Sequence, residues 1–197
     1  MNARLVLASA SPRRRELLAQ LNLPFEVIPS AAPEVPRLGE PAEAFARRVA
    51  QDKARDVAGR SPGAFVLGAD TVVVVDGAIF GKPTDRDDAR RMLQALSGRT
   101  HRVLTAVALL DPAGCAEEIL VESQVEFRRL SADEIEPYLA SDEPFDKAGA
   151  YAVQGVARTF VCQVRGSHSN VIGLPLDEVA ALLRRHLVVG ADLARPA

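Results

Sequence analysis

The chain has 197 residues, which allows one sizeable domain or two closely packed lobes. Its composition, 48% hydrophobic and 25% charged, is that of a soluble globular protein, and a net charge of −2 speaks against a bulk nucleic-acid coat, so any basic site is local. The two cysteines, Cys115 and Cys162, stand far apart without metal-ligand spacing; they read as reduced thiols of a cytoplasmic protein, with a disulfide as the alternative, and no apolar run reaches membrane-spanning length.

"RLVLAS" reads as a buried strand, its apolar run "LVLA" too short for a signal peptide. A helix follows from about Pro12 to Leu21, with Ser11 as cap, Pro12 in the first turn, and Leu17, Leu18 and Leu21 at helical spacing. "FEVIPS" is a short strand, and "AAPEVPRLGEP" a proline-rich loop. A second helix runs from about Pro41 to Ala58, with Phe45, Val49 and Ala50 facing inward. In "AFVLGADTVVVV" a break is expected near Gly68 to Asp70, because twelve residues of unbroken strand would span about 40 Å. Asp76-Gly77 reads as a hairpin turn, and "DRDDARRMLQALSG" as a helix with Gly98 just past its end.

Two strands, "HRVLTAVALLD" and "EEILVESQVEFRRL", are joined across Asp111 to Gly114. A short helix capped by Ser131 leads to a polar loop, "DEPFDKAGAYAVQGV", and to the strand "TFVCQV". "SHSNVIGLPLDEVAALLRRHL" reads as a loop and strand before an amphipathic helix, and the tail after about residue 188 as frayed. The sequence therefore predicts a single domain over residues 1–197. Its fold is α/β: a mixed, strongly twisted sheet with flanking helices, in two lobes around a groove.

Three consecutive arginines at a helix start oppose the helix dipole, whereas an anion held there would favour them. Ser9, Ser11, Arg13 and Arg14 together suit a phosphate through backbone N–H groups, hydroxyls and guanidinium forks. A solvated arginine run with a routine serine cap is the competing reading. Asp70 lies at the end of an apolar run in "GADT", where a buried carboxylate needs a partner. Lys82 in "GKP", Glu34 in the proline loop and Lys53 in "QDKA" are weaker signals, each compatible with simple solvation. The loop holding Asp142, Glu143, Asp146, Lys147 and Gln154 is denser in polar groups than a spacer requires. There is no P-loop, no G-x-G-x-x-G, no nucleophile elbow, and no metal-ligand spacing among His101, His168 and His186. Aromatic residues make up 5% of the chain, with no tryptophan, and do not form an RNA-stacking surface.

Taken together and in order, "LASASPRRRELL", "GADTVV", "GKP", "LSGRTHRVLTAV", "DKAGAYAVQG" and "VIGLPL" resemble the Maf family of nucleoside triphosphate pyrophosphatases. The form of the fifth motif resembles the dTTP/UTP branch, although Ala152 stands where that branch often has glycine. The resemblance implies a Maf/ITPase-like fold of two α/β lobes around a central cleft, a homodimer, and cleavage of a nucleoside triphosphate to monophosphate and pyrophosphate. It implies a divalent metal, Mg²⁺ or Mn²⁺, with Asp70 and Glu34 as its candidate carboxylates. It makes Asp70 the proton acceptor, with Glu34 and Lys82 as further catalytic positions. Ser9, Arg13, Arg14 and Lys53 become substrate-binding positions, and Arg13, Thr71 and Gln154 bear on base choice. A nucleotide-binding regulator of cell division without turnover, a pyrophosphatase of the 7-methyl-GTP type, and an RNA-binding protein using Arg13 to Arg15 are the competing functions. No nucleic acid and no membrane are expected as partners.

Overall fold

In the computed structural model, which describes residues 4–186, strands and helices alternate through most of the chain. Strand β1 (Leu5–Leu7) runs into helix α1 (Pro12–Ala19), and strand β2 (Glu26–Val27) is followed by helix α2 (Ala42–Ala58). Strands β3 (Phe65–Val75) and β4 (Ala78–Phe80) form a hairpin ahead of helix α3 (Arg86–Leu96). Strands β5 (Thr100–Leu110) and β6 (Ala116–Phe127) precede helix α4 (Ala132–Leu139). Strand β7 (Val161–Arg165), helix α5 (His168–Ile172) and helix α6 (Leu176–His186) complete the described chain. The strand order is β2-β1-β3-β5-β6-β7, with β4 paired to β3. Pairing is parallel for β1 with β2 and β3, and antiparallel for β3–β4 and β6–β7, so the sheet is mixed.

The chain divides into two compact units. One comprises the chain up to Asp70, Thr105–Val121 and the chain from Gly173; the other comprises Thr71–Leu104 and Glu122–Ile172. In the first, α1 forms as its sequence requires. Ser11 accepts the Arg14 N–H, Pro12 occupies the first turn, and Leu17 and Leu18 are buried. Phe45, Val49, Ala50 and Val57 form the buried stripe of α2. Arg48 is paired with Glu40 at 2.7 Å and donates to the Val35 carbonyl at 3.0 Å. Asp56 accepts from Ser30 Oγ and the Ala31 N–H, both at 2.8 Å. These bonds pin the proline-rich segment before α2 at both ends.

In the second unit, the β3–β4 hairpin turns on Asp76 and Gly77, both at positive φ, as the Asp-Gly dipeptide predicts. Its core contains a group of edge-to-face rings. His101 meets Phe127 at 5.0 Å and Tyr151 at 5.4 Å, and Phe127 meets Tyr151 at 4.7 Å. A capping box between Ser131 and Glu134 starts α4.

Three elements depart from expectation. Strand β3 is unbroken from Phe65 to Val75, so Gly68 does not interrupt it and Asp70 lies within the strand. The chain nevertheless passes from the first unit to the second between Asp70 and Thr71. The polar loop is built instead from short 3₁₀ turns at Glu143–Asp146, Ala148–Ala150 and Val156–Phe160, which leaves only Val161–Arg165 for β7. The strand expected in "SHSNVIG" is helix α5, because Ser167 Oγ accepts the Asn170 N–H at 3.2 Å and so caps a helical turn. That cap overrides the strand preference of Val171 and Ile172. The frayed tail expected after residue 188 lies outside the described residues.

Candidate active site

Asp70 and Gly68 sit two residues apart on β3 and therefore share one face of the strand. A Cβ built on Gly68 would lie 2.2 Å from the Ala50 carbonyl oxygen and 2.8 Å from the Ala54 nitrogen, both on α2. The glycine thus admits the backbone of α2 directly against β3. Lys53, between those two alanines, is carried to the same face. Its Nζ donates to Asp70 Oδ1 at 2.8 Å and lies 2.7 Å from Glu34 Oε1. Lys53 and Asp70 are both buried, at 5% and 4% exposure. Glu34 is exposed, so the ammonium is held between one sequestered carboxylate and one that reaches solvent.

Arg14 belongs to the same unit. Its Nε donates to the Gly173 carbonyl at 2.9 Å, and its Nη1 approaches the oxygen of buried Ser9 at 3.5 Å. Ser9 Oγ also accepts the Ser11 N–H at 3.2 Å, so the serine shapes the start of α1 while facing Arg14. Burial pushes the Asp70 carboxyl above the usual carboxylate range; the charges of Lys53 and Arg14 oppose this shift, and Glu34 adds to it. Burial lowers the Arg14 guanidinium, with Asp70 and Glu34 pulling it back up and neighbouring Arg13 pushing it further down. Arg14 therefore has a counter-charge within its own unit, which offsets its unfavourable place at a helix start.

The first unit accordingly brings together Ser9, Arg14, Glu34, Lys53 and Asp70, with Arg13 beside Arg14. Thr71, Lys82 and Gln154 belong to the second unit. Thr71 follows Asp70 on β3 and is half-buried. Lys82 is exposed in the loop after β4, and Gln154 is exposed between buried Val153 and half-buried Gly155. The segments bearing Lys82 and Gln154 are tied together where the Gly149 N–H donates to the Gly81 carbonyl at 3.0 Å.

The cation that the Asp70 and Glu34 oxygens are seen to meet together is the Lys53 ammonium. Among the described residues no cluster of three or more His, Cys, Asp or Glu could hold a metal. Two carboxylates converging on one positive charge fit a Mg²⁺ that takes its remaining oxygens from phosphate and water.

Some residues that shape the site or the core of the second unit carry little sign of it in the sequence. Gly68 reads as a strand break, when its role is close approach. His101, which shows no metal-ligand spacing, is buried and hydrogen-bonded through Nε2 to the Tyr151 hydroxyl at 2.7 Å. It stands at the start of β5 between Thr100 and Arg102, two residues before buried Val103, and that alternation was the available signal. The Gly173 carbonyl that fixes Arg14 has no side-chain signature at all.

The family model described as Maf-like protein matches residues 4–186. A dTTP/UTP pyrophosphatase of Anaeromyxobacter dehalogenans (strain 2CP-1 / ATCC BAA-258) is 55% identical over 188 residues, covering 94% of this chain and 95% of that protein. The dTTP/UTP pyrophosphatase of Myxococcus xanthus (strain DK1622) is 56% identical over 182 residues, covering 92% and 91%. A nucleoside triphosphate pyrophosphatase of Xylella fastidiosa (strain M23) is 52% identical over 182 residues, covering 91% and 96%. Among solved structures, a HAM1 protein from Coxiella burnetii aligns with TM-score 0.52 at 17% identity, covering 93% of this chain and 99% of that one, a likeness of fold alone.

Proposed function

The chain belongs to the Maf-like protein family, and on that premise we propose that it hydrolyses dTTP and UTP to the monophosphate and pyrophosphate. The names of relatives at 52–56% identity support this reading. One observation in the chain itself carries it: the buried Lys53 ammonium held between Asp70 and Glu34, with Arg14 facing the same carboxylates. Such a concentration of desolvated charge is a poor device for stability and a good one for chemistry on a polyanion.

In this reading Asp70 is the proton acceptor. Burial raises its proton affinity, which suits a general base that takes a proton from the water attacking the α-phosphorus. Lys53 orients that carboxylate through the 2.8 Å hydrogen bond and supplies positive charge to the phosphate oxygens. Arg14, held at Nε by Gly173 and supported by Ser9, binds the triphosphate together with Arg13 and Lys82. Asp70 and Glu34 would hold the divalent cation, Mg²⁺ or Mn²⁺, which when bound neutralises charge on the leaving pyrophosphate and acidifies the attacking water. Gln154 offers an amide donor and acceptor to the N3–H and O4 edge of uracil or thymine, with Arg13 and Thr71 setting the position of the base.

The same reading makes the protein a cytoplasmic homodimer acting on free nucleotides. Among the described residues no helix is long and apolar enough to cross a membrane.

A product assay over dTTP, UTP, CTP, ATP, GTP and 7-methyl-GTP tests the proposal. Monophosphate and pyrophosphate in equal amounts, fastest from dTTP and UTP, is the expected result. Preference for 7-methyl-GTP would overturn the base assignment, and release of orthophosphate with a diphosphate would overturn the bond assignment.

A further inference from the structure

The segment that carries Gln154 is held in place by Glu143, a residue to which the chemistry above gives no part. The Glu143 carboxylate accepts the Val156 N–H at 2.9 Å and the Ala157 N–H at 3.3 Å, so it caps the 3₁₀ turn Val156–Phe160 from thirteen residues away. The Tyr138 hydroxyl lies 3.3 Å from the same carboxylate and 3.1 Å from the Ala150 carbonyl, which links the carboxylate to the near end of the segment. Lys147 Nζ donates to the main-chain oxygen of Glu143 at 2.6 Å and anchors the glutamate itself.

Gly155 shows how tightly this contact is made. Its φ of −100° and ψ of −154° are open to any residue, so its backbone does not call for glycine. A Cβ there would lie 2.2 Å from one Glu143 carboxylate oxygen and 2.5 Å from the other. The three atoms nearest that Cβ all belong to the Glu143 carboxyl group, so a side chain at this position would have to displace it. On the other side of Gln154, Val153 is buried, and Tyr151 is bonded to His101. Gln154 is therefore an exposed amide whose two chain neighbours are both fixed.

We propose that Glu143 is a positioning residue for base recognition: by holding the Gly155–Ala157 backbone it fixes where the Gln154 amide stands, and so sets the preference for pyrimidine over purine triphosphates. This rests on the reading that Gln154 meets the base. Glu143 touches neither the phosphates nor the reacting water in this account, so it acts on the choice of substrate and leaves the chemical step alone.

The experiment measures kcat and KM for dTTP and GTP and compares the ratio of the two kcat/KM values among variants. Gln154→Ala is the reference for the reading itself. Glu143→Ala should lower the ratio by roughly two- to tenfold, through KM for dTTP, with kcat for dTTP within about twofold of wild type. Glu143→Gln should recover part of the loss, because its amide oxygen still accepts one of the two N–H groups. Gly155→Ala should lower the ratio by itself and add almost nothing in the Glu143→Ala background, where the obstructing carboxylate is gone. A wild-type ratio in folded Glu143→Ala, with the ratio reduced in Gln154→Ala, overturns the proposal and leaves the base reading standing. An unchanged ratio in Gln154→Ala removes both. If Glu143→Ala does not fold, Glu143→Gln and Gly155→Ala decide on the same ratio, and a wild-type value in both overturns the proposal.

Discussion

The Lys53 ammonium lies 2.8 Å from an Asp70 carboxylate oxygen, and the two side chains are only 7% and 6% exposed. A buried ion pair of this kind contributes little net stability, yet losing one partner leaves an uncompensated charge and typically costs about 3–5 kcal/mol. Its geometry depends on a third residue, Gly68, which lets α2 approach β3 closely enough for Lys53 to reach Asp70.

Gly68→Ala tests that dependence. The new methyl group would meet the Ala50 carbonyl at 2.2 Å and the Ala54 nitrogen at 2.8 Å, so α2 has to move away from the strand. The expected cost is about 1–3 kcal/mol in urea unfolding, as for other overpacked cores. Turnover should fall further than stability accounts for, because Lys53 moves with the helix. A variant with wild-type stability and turnover would show that the approach at Gly68 does not set the Lys53–Asp70 distance.

Asp70 gives a signed pH dependence. Its carboxyl is raised above the ordinary 3.8 by burial, with Lys53 the largest opposing influence. Ionising it costs more in the folded than in the unfolded protein. Its favourable contribution is thus present below the unfolded value and lost as pH rises through the folded one. Wild-type stability relative to Asp70→Asn should therefore decline as pH rises above the usual carboxylate range. Turnover, which needs the ionised form, should have its acid limb above that range, and Lys53→Met should move the limb of the residual activity higher still. Parallel stability curves for wild type and Asp70→Asn would contradict this account.

His101 gives the opposite sign. Burial lowers its imidazole from 6.5 to about 4, so the neutral ring is favoured in the folded protein. The stability this contributes is complete above pH 6.5 and is lost as pH falls towards 4, by roughly 2–4 kcal/mol in total. His101→Gln should flatten the stability curve across that window. An equally steep fall in the variant would assign the acid sensitivity to other groups.

Much of the fold was legible because local chemistry and tertiary packing agree. The Ser11 cap, the Asp76-Gly77 hairpin, the Ser131 capping box and the buried stripe of α2 all follow from nearby residues. Gly68 misled because a glycine in an apolar run serves equally as a break or as a point of close approach, and only the helix lying over it distinguishes the two. "SHSNVIG" misled because a serine cap outweighed two β-branched residues. The individual site residues could be singled out in sequence. The convergence of Asp70, Glu34 and Arg14 around Lys53 could not, since it joins residues from separate elements, seventeen positions apart in the case of Lys53 and Asp70. Glu143 stood out only as one polar residue of its loop, and its capping contacts were hidden for a similar reason, the partners lying thirteen and fourteen residues downstream.

Pyrophosphate release from dTTP by Asp70→Asn tests the central claim most directly. The variant keeps the shape of the buried site and removes its proton acceptor. It should fold and retain nucleotide binding within a few-fold, while turnover at saturating dTTP falls by roughly a hundredfold or more, as expected for the loss of a general base. A folded Asp70→Asn protein that releases pyrophosphate at close to the wild-type rate would take Asp70 out of the mechanism.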